Sequence, residues 1–256
     1  MRVLVLSSST GSGHDMRARA FAAWVERLYG KRVEVRMEQV IENGSLLGRF
    51  GVWLYNRIHR HAPWLHNLYF FIVEAFVRSH SRRVTFGGRY YRQLLADWPP
   101  EVVFSVHDST NRGYFEDARR ILGPAVRCGT YCGEFSGGFG YSANWVNPSA
   151  DFFIARTERA RQHAVQLGLP IERSSVFQKL LPPDAFAPRL SETGRRRFLE
   201  ACGLEPGRFT LFLATGGYGA NHHLAFLRAV LPLADSLQVI VVCGNNRRIL
   251  GRVRRD

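Results

Sequence analysis

The sequence predicts an α/β protein, and three observations support this class. Short apolar runs, typical of buried strands, alternate with stretches whose apolar residues recur at helical spacing. Glycine-containing turns join strands to the helices that follow them. The order strand, turn, helix, strand occurs at the start of the chain and again after residue 206. The 256 residues, 46% hydrophobic and 22% charged, suffice for one large or two modest domains and exclude wholesale disorder.

The first forty residues predict a β-α-β unit. Residues 3–6 form a continuous apolar run, which indicates a buried strand, and residues 7–13 are rich in serine and glycine, which indicates a turn. Helical spacing of apolar residues covers 15–29 and ends at Gly30. Alternation over 32–37 predicts the second strand.

Residues 46–96 contain many aromatic residues and few strand signals, and they predict two or three helices broken near Pro63 and Gly87. Two interpretations stay open. Helical spacing places five residues on one face, which favours core packing: Leu65, Leu68, Tyr69, Ile72 and Phe76. Aromatic residues bounded by arginines are also typical of a helix that enters an anionic bilayer. The residues of this membrane hypothesis are Trp53, Trp64, Phe70, Phe71, Arg78, Arg82 and Arg83.

The α/β pattern returns after residue 100. Its predicted elements are strands at 102–106, 126–131 and 152–155 and helices at 114–122 and 158–167, with a glycine-rich loop at 133–141. After Pro206, strands at 209–214 and 237–242 enclose a turn at 215–219 and a helix at 221–231, and another helix begins at 246. This recurrence predicts two Rossmann-like domains.

The predicted boundaries are an N-terminal domain at 1–188, a linker at 189–207 introduced by prolines, and a partial C-terminal domain at 208–256. A sheet of two strands is marginal by itself. The chain is therefore expected to be a fragment or truncated product, or else these strands pack on the first domain.

The positive charge points to an anionic partner. The chain has 35 Lys and Arg against 21 Asp and Glu, a net charge of +14, and its only lysines are Lys31 and Lys179. Arginine makes two-point contacts with phosphate and carboxylate, although a GC-rich genome also favours arginine over lysine. Four cysteines are too few for a disulfide scaffold and suit a reduced compartment. No signal peptide or membrane span is evident, and no nucleic-acid motif.

The first glycine-rich turn lies where a helix amino terminus favours an anion or a polar substrate group. It does not match a dinucleotide fingerprint, because the third glycine would fall at Met16, and it is not a P-loop, because no Gly-Lys-Ser/Thr follows. His14 stands at the mouth of the helix. It could accept a proton from an attacking hydroxyl, or it could be a capping residue without chemistry.

Other polar residues have two interpretations each. His107 ends a buried strand at the edge where α/β folds place ligands, or it caps the next helix with Asp108 or Ser109. Glu134 lies in a long glycine-rich loop, and long loops of this type often carry function. Alternatively, its side chain is a solvated carboxylate without a functional role. Cys128 and Cys132 lack a matching metal-ligand pair, and the adjacent His222 and His223 are a poor chelate expected to cap a helix or face solvent. No metal site is predicted.

Four segments of the chain resemble motifs of one known family. Residues 3–14 (VLVLSSSTGSGH) resemble an opening strand, glycine-rich loop and histidine, and residues 101–107 (EVVFSVH) resemble a strand ending in Ser-Val-His. Two further motifs are resembled by Trp145 followed by 150–153 (ADFF), and by 241–246 (VVCGNN). The family is that of the monogalactosyldiacylglycerol synthases and processive diacylglycerol glucosyltransferases. The resemblance covers the whole chain, and residues 54–71 match in character.

The resemblance implies a GT-B fold, with an N-terminal domain that takes a lipid acceptor and meets the membrane and a C-terminal domain that takes a UDP-sugar. His14 is then the candidate catalytic base. The implied acceptor-binding residues are Gly11, Gly13, His107, Glu134 and Trp145, and the implied donor-binding residues are Gly216, Gly217, Gly219 and Asn221. The chain departs from the pattern where Gly133-Glu134 replaces Thr-Asp, where Asp108 replaces proline, and where the later nucleotide-sugar segments are missing.

The leading hypothesis is transfer of a hexose from a UDP-sugar to a diacylglycerol-type lipid, with no cofactor or metal, on the cytoplasmic face of the cell membrane. The alternative is a lipid-docking acceptor-domain fragment without turnover. A nucleotide-cofactor protein is a third possibility that Met16 disfavours. Glucose or galactose, the acceptor head group, the anomeric outcome and the oligomeric state are left open by the sequence.

Overall fold

A computed structural model describes residues 1–65, 68, 71–72, 75, 85–135, 141–217 and 222–255. The chain divides into two compact units. The first comprises Met1–Asn56 and Trp64–Ala185, and the second comprises Arg57–Pro63 and Phe186–Asp256.

The first unit is built on a six-stranded parallel sheet with the order β2-β1-β3-β4-β5-β6. Its strands are β1 (Arg2–Leu6), β2 (Glu34–Glu38), β3 (Val102–Ser105), β4 (Arg127–Tyr131), β5 (Phe152–Ala155) and β6 (Ser174–Val176). Its helices are α1 (Gly13–Tyr29), α2 (Val40–Gly44), α3 (Leu46–His61), α4 (Gly88–Asp97), α5 (Tyr114–Leu122) and α6 (Glu158–Gln166), of which α3 continues into the second unit's range.

Both faces of this sheet are covered, and β1 shows how. Leu4 and Leu6 belong to a buried cluster with α4 and α5, whereas Val3 and Val5 belong to a second cluster with α1. Alternate residues of a strand point to opposite faces, so an unbroken apolar run is what a strand between two helical layers requires. Each such side chain contributes about 1.5–3 kcal/mol when fully buried.

The second unit contains α7 (Glu192–Ala201), β7 (Phe209–Ala214), α8 (His223–Val230), β8 (Leu237–Val242) and α9 (Arg247–Val253). β7 and β8 pair in parallel over six residues, from Phe209 opposite Leu237 to Ala214 opposite Val242. On β7, the side chains of Phe209 and Phe212 are two-thirds exposed, so the apolar surface of this sheet is only partly covered within the unit.

The predicted elements mostly coincide with these bounds, and the predicted α/β class is confirmed. The helix at 114–122 and the strands at 152–155, 209–214 and 237–242 are confirmed to the residue. The segment 189–207, for which the sequence predicts a linker, contains α7, whose first turn is capped by Ser191 through a hydrogen bond from the Gly194 N–H. No helix of the described residues is long and apolar enough to cross a membrane.

One prediction about histidine is wrong. His223 neither caps α8 nor faces solvent; its side chain is fully buried in the second unit, and His222 occupies the cap position. The His223 Nε2 atom lies 3.1 Å from the Val242 carbonyl oxygen and 3.3 Å from Thr215 Oγ1. These polar partners explain why a histidine is tolerated inside.

Candidate active site

The loop between β1 and α1 is held in place by polar side chains around it. Asp15 accepts hydrogen bonds from the hydroxyls of Ser7 and Ser9, at 2.7 and 3.1 Å, and from the Gln39 amide. The Asn56 side chain accepts from the Gly11 N–H and donates to the Ser9 carbonyl, both within 3 Å. Gly11 has φ +72°, a left-handed conformation that suits glycine. The serine-rich sequence therefore specifies a fixed loop.

His14 follows this loop as the second residue of α1. Its Nδ1 lies 2.7 Å from the Val106 carbonyl oxygen, which can only accept, so Nδ1 carries the proton and Nε2 keeps its lone pair. Burial, followed by the neighbouring His107, lowers the pKa of His14 to about 3. The ring is therefore neutral at physiological pH and can accept a proton at Nε2. Ser12, and not His14, is the cap of the helix.

His107 lies at the end of β3 and faces His14, with the two ring centroids 4.3 Å apart. Its Nδ1 accepts the Ser109 N–H at 3.1 Å and also lies 3.1 Å from Asp108 Oδ1, and its Nε2 lies 2.7 Å from Thr10 Oγ1. The capping interpretation of His107 is confirmed, because its side chain caps the short 3-10 helix Asp108–Thr110. His107 also contacts the candidate base and its loop, and its ligand-binding role stays a prediction.

Trp145 and Glu134 form the side of the site contributed by the segments after β4. Trp145 is only 1% exposed, and its ring stacks on His14 with a centroid distance of 5.9 Å. Its side chain also hydrogen-bonds the Glu134 carboxylate. Burial, and then the nearby Asp108, raises the pKa of Glu134. Glu134 is thus a half-buried part of the site, unlike the solvated carboxylate of the alternative interpretation.

Six residues singled out in the sequence thus belong to one region at the carboxyl ends of β1, β3 and β4. They are Gly11, Gly13, His14, His107, Glu134 and Trp145. This is the edge where parallel α/β sheets bind ligands. Sequence reasoning missed Arg17 and Arg156, whose guanidinium groups both contact the Gly133 carbonyl beside Glu134. A signal existed for Arg17, which is one helical turn after His14.

The donor-side residues lie in the second unit. Gly216 has φ +84°, and the Gly217 carbonyl accepts the Asn245 N–H at 2.8 Å, which joins the two loops that follow β7 and β8. A Cβ on Gly244 would lie 2.3 Å from the Gly217 oxygen, so this approach requires glycine. Gly219 and Asn221 lie outside the described residues.

The aromatic residues of the membrane hypothesis are exposed where the structure describes them. Trp53, Trp64 and Phe71 are 53%, 78% and 71% exposed, and Leu68 and Ile72 are also exposed, which argues against their packing in the core. Phe70, Phe76, Arg78, Arg82 and Arg83 lie outside the described residues. Within the part of the chain that the structure describes, no three His, Cys, Asp or Glu side chains group as metal ligands.

Comparison with known proteins finds solved structures of the same fold and curated relatives of low sequence identity. No family model matches the chain. It is 20% identical to the processive diacylglycerol beta-glucosyltransferases of Bacillus licheniformis and Bacillus subtilis, over 95% and 96% of its own length. Among solved structures, HepE of Anabaena in complex with UDP-glucose matches all of the chain with a TM-score of 0.55 and 12% identity. The predicted GT-B-like α/β fold class is therefore confirmed.

The chain spans 61% and 62% of the length of these two Bacillus relatives and 65% of HepE. The similarity is to processive diacylglycerol glucosyltransferases and does not single out galactosyldiacylglycerol synthases.

Proposed function

We propose that this chain is a glycosyltransferase polypeptide that moves a hexose from a UDP-sugar to the hydroxyl of a diacylglycerol-type lipid. The observation that carries the proposal is His14, a neutral imidazole with its proton fixed on Nδ1 and its Nε2 available, at the ligand-binding edge of the sheet. The Bacillus relatives named for this reaction, and the UDP-glucose complex of HepE, support the substrate classes.

In the proposed reaction the lipid hydroxyl oxygen attacks the anomeric carbon of the sugar. The bond from that carbon to the β-phosphate oxygen breaks, UDP leaves with the bonding electrons, and His14 Nε2 takes the hydroxyl proton. The imidazolium that forms is stabilised by the Val106 carbonyl and by the Asp108 carboxylate, both of which raise the pKa of His14. A base of low pKa accepts the proton only as the attacking oxygen becomes acidic, which couples proton transfer to attack.

The neighbouring residues have positioning roles in this proposal. His107 packs against the His14 ring and ties it to the loop through Thr10. Trp145 supports the His14 ring on another side, and its hydrogen bond orients Glu134. Gly216 of the second unit, where a Cβ would meet nothing within 4 Å, leaves its backbone accessible for the nucleotide sugar.

The test is transfer of labelled hexose from UDP-glucose or UDP-galactose to dioleoylglycerol in mixed micelles by the purified protein. We expect a labelled glycolipid, and His14→Ala to lower turnover about 100-fold or more, as loss of a general base does. The matched control is His163→Ala, on α6 against Tyr141, which should keep the wild-type rate. Wild-type turnover in His14→Ala at saturating substrates would remove His14 from the chemistry.

A further inference from the structure

Two arginine side chains converge beside the candidate active site and are not used by the proposed reaction. Arg17 is on α1, one turn after His14, and Arg156 directly follows β5. Both donate to the same oxygen, the Gly133 carbonyl, at 3.5 Å from Arg17 Nη2 and 3.3 Å from Arg156 Nη1. Two cations are thus held close together at the edge of the sheet.

Among the residues that the structure describes, few acceptors contact these two guanidiniums. In the described part of the chain they contact carbonyl oxygens alone: Gly133 for both, and Gln178 for Arg156 Nε at 3.1 Å. The Arg156 group also lies 3.7 Å from the centre of the Phe135 ring. A guanidinium has five N–H donors, and Arg17 uses one of them, at 3.5 Å, toward the described residues.

The environment disfavours two unneutralised cations here. Burial, and then the neighbouring Arg156, lowers the pKa of Arg17. Glu134 attracts both guanidiniums electrostatically, but its carboxylate accepts the Trp145 side chain and lies beside the like-charged Asp108. Glu134 therefore compensates the charge of the pair only in part.

The backbone is shaped to allow this approach. A Cβ built on Gly133 would lie 2.3 Å from Arg17 Nη1, so any side chain at this position would displace the guanidinium. A Cβ on Gly13, at the start of α1, would lie 3.8 Å from the Arg17 guanidinium nitrogens, which is an ordinary contact distance. Gly133 thus has a local reason to be glycine, besides its place in the loop.

We propose that Arg17 and Arg156 bind an acidic group, the phosphate ester of a glycerolipid acceptor, so that an anionic glycerolipid is a better acceptor than neutral diacylglycerol. This rests on the proposed function, because it takes the acceptor to lie against His14 and Trp145. Planar guanidiniums bind phosphate oxygens through two parallel hydrogen bonds, and two of them close together suit one phosphate. The acidic group would then fix the acceptor so that a neighbouring hydroxyl faces His14 Nε2.

The experiment measures binding and needs no sugar transfer. Dihexanoyl phosphatidylglycerol, dihexanoylglycerol and inorganic phosphate are each titrated into the protein below micelle concentrations, with calorimetric detection. We expect the phospholipid to bind at least about tenfold more tightly than the neutral lipid, since charge-assisted hydrogen bonds are involved. Arg17→Gln should remove most of this difference without changing the affinity for dihexanoylglycerol.

Two further variants sharpen the comparison. Arg17→Lys keeps the charge but loses the two-point geometry, and we expect an intermediate affinity for the phospholipid. Arg19→Gln makes the same charge change at an exposed position of α1, and it should bind both lipids as the wild type does. Circular dichroism and thermal unfolding of each variant confirm that the fold is kept.

Several outcomes would overturn the proposal. They are equal affinity of the wild type for the two lipids, an equal loss in Arg17→Gln and Arg19→Gln, and inorganic phosphate binding as tightly as the phospholipid, which would mean a free-anion site. Failure of this proposal can be distinguished from failure of the proposed function. Arginine-dependent lipid binding without hexose transfer would overturn only the transferase proposal, and transfer to dioleoylglycerol with no preference for the phospholipid would overturn only this one.

Discussion

At the scale of single residues, the contact between His14 and the Val106 carbonyl decides the tautomer of the candidate base. A histidine that could place its proton on either nitrogen would offer Nε2 only part of the time. Here the Val106 carbonyl, just after β3, fixes the proton on Nδ1 of His14. The adjoining His107 ring disfavours a second proton on the His14 ring. The position of a carbonyl group, which no residue type encodes, thus determines the chemistry available to the side chain.

The lowered pKa of His14 predicts a stability that depends on pH. Its pKa is about 3 in the folded chain and about 6.5 in a model peptide, so between these values the unfolded chain binds a proton that the folded chain excludes. The contribution of His14 to the free energy of unfolding is present above pH 6.5 and is lost as the pH falls toward 3.

We expect the wild type to lose roughly 1–2 kcal/mol more than His14→Asn when the pH is lowered from 7.5 to 5, with allowance for the partial exposure of the ring. Asparagine keeps a donor for the Val106 carbonyl but cannot titrate. Urea unfolding at the two pH values measures the difference. Parallel pH profiles for the two proteins would show that His14 is protonated equally in both states.

At the scale of elements, hydrophobic patterning was sufficient wherever a whole face is buried. β1 and α5 are examples, because residues 3–6 of β1 and Tyr114, Phe115 and Ala118 of α5 are buried and the two periodicities differ clearly. α7 was harder to predict, since most of its residues are exposed and the prolines at 182, 183 and 188 suggested a linker. Hydrophobic periodicity reflects which residues are buried, so it predicts an element poorly when most of the element's residues are exposed.

Some residues of the candidate site could also be predicted from the sequence, and others could not. His14 and His107 could be predicted because each lies at a strand–loop junction, which the sequence locates. The pairing of Arg17 with Arg156 could not, because it joins a helix to a strand end 139 positions away through the carbonyl of a third segment. Such a contact depends on the order of strands in the sheet, and local sequence does not contain that order.

Glycine-to-alanine substitutions in β4 and in α3 should have opposite effects on stability. A Cβ on Gly129 would lie 2.2 Å from the Phe152 ring on the neighbouring strand, whereas one on Gly51 of α3 meets nothing within 4 Å. We expect Gly129→Ala to lower the free energy of unfolding by about 1–3 kcal/mol, since the ring must move. Gly51→Ala should raise it by about 0.5–1 kcal/mol, because alanine restricts the unfolded chain and favours the helix.

Chemical denaturation of the two variants beside the wild type is the measurement. A neutral effect of Gly129→Ala would mean that Phe152 has an alternative position at little cost. The Gly51 variant serves as the matched control, because the same methyl group is added in a place where packing is not at stake.

At the scale of the whole molecule, the net charge of +14 and the exposed aromatic residues of α3 predict binding to acidic membranes. Phe50 and Trp53 are both more than half exposed, and their rings stack with centroids 5.6 Å apart. Each arginine near an anionic surface contributes on the order of 1 kcal/mol, and this attraction is screened by salt. We expect sedimentation with vesicles that contain acidic lipid, weakening as salt is raised.

Trp53→Ser should weaken this binding at any salt concentration, because it removes apolar contact and leaves the charge unchanged. The control is Phe177→Ser, which removes an equally exposed aromatic ring from the segment after β6. Equal sedimentation with neutral and acidic vesicles at low salt would contradict the electrostatic part of the prediction, and equal effects of the two variants would contradict the role of α3.

The strand order has a consequence for how the chain is made. β1 pairs with β2 on one side, but on the other it pairs with β3, so Val3 finds its partner Val102 only after about 100 residues have been synthesised. At roughly 5–20 residues per second, several seconds pass in which the apolar edge of β1 is unpaired on the ribosome and open to association. The carbonyl that orients His14 belongs to Val106, at the end of that late segment. The candidate base therefore acquires its working tautomer only when the centre of the sheet closes, and a nascent chain stopped before residue 106 would carry the whole glycine-rich loop without its chemistry.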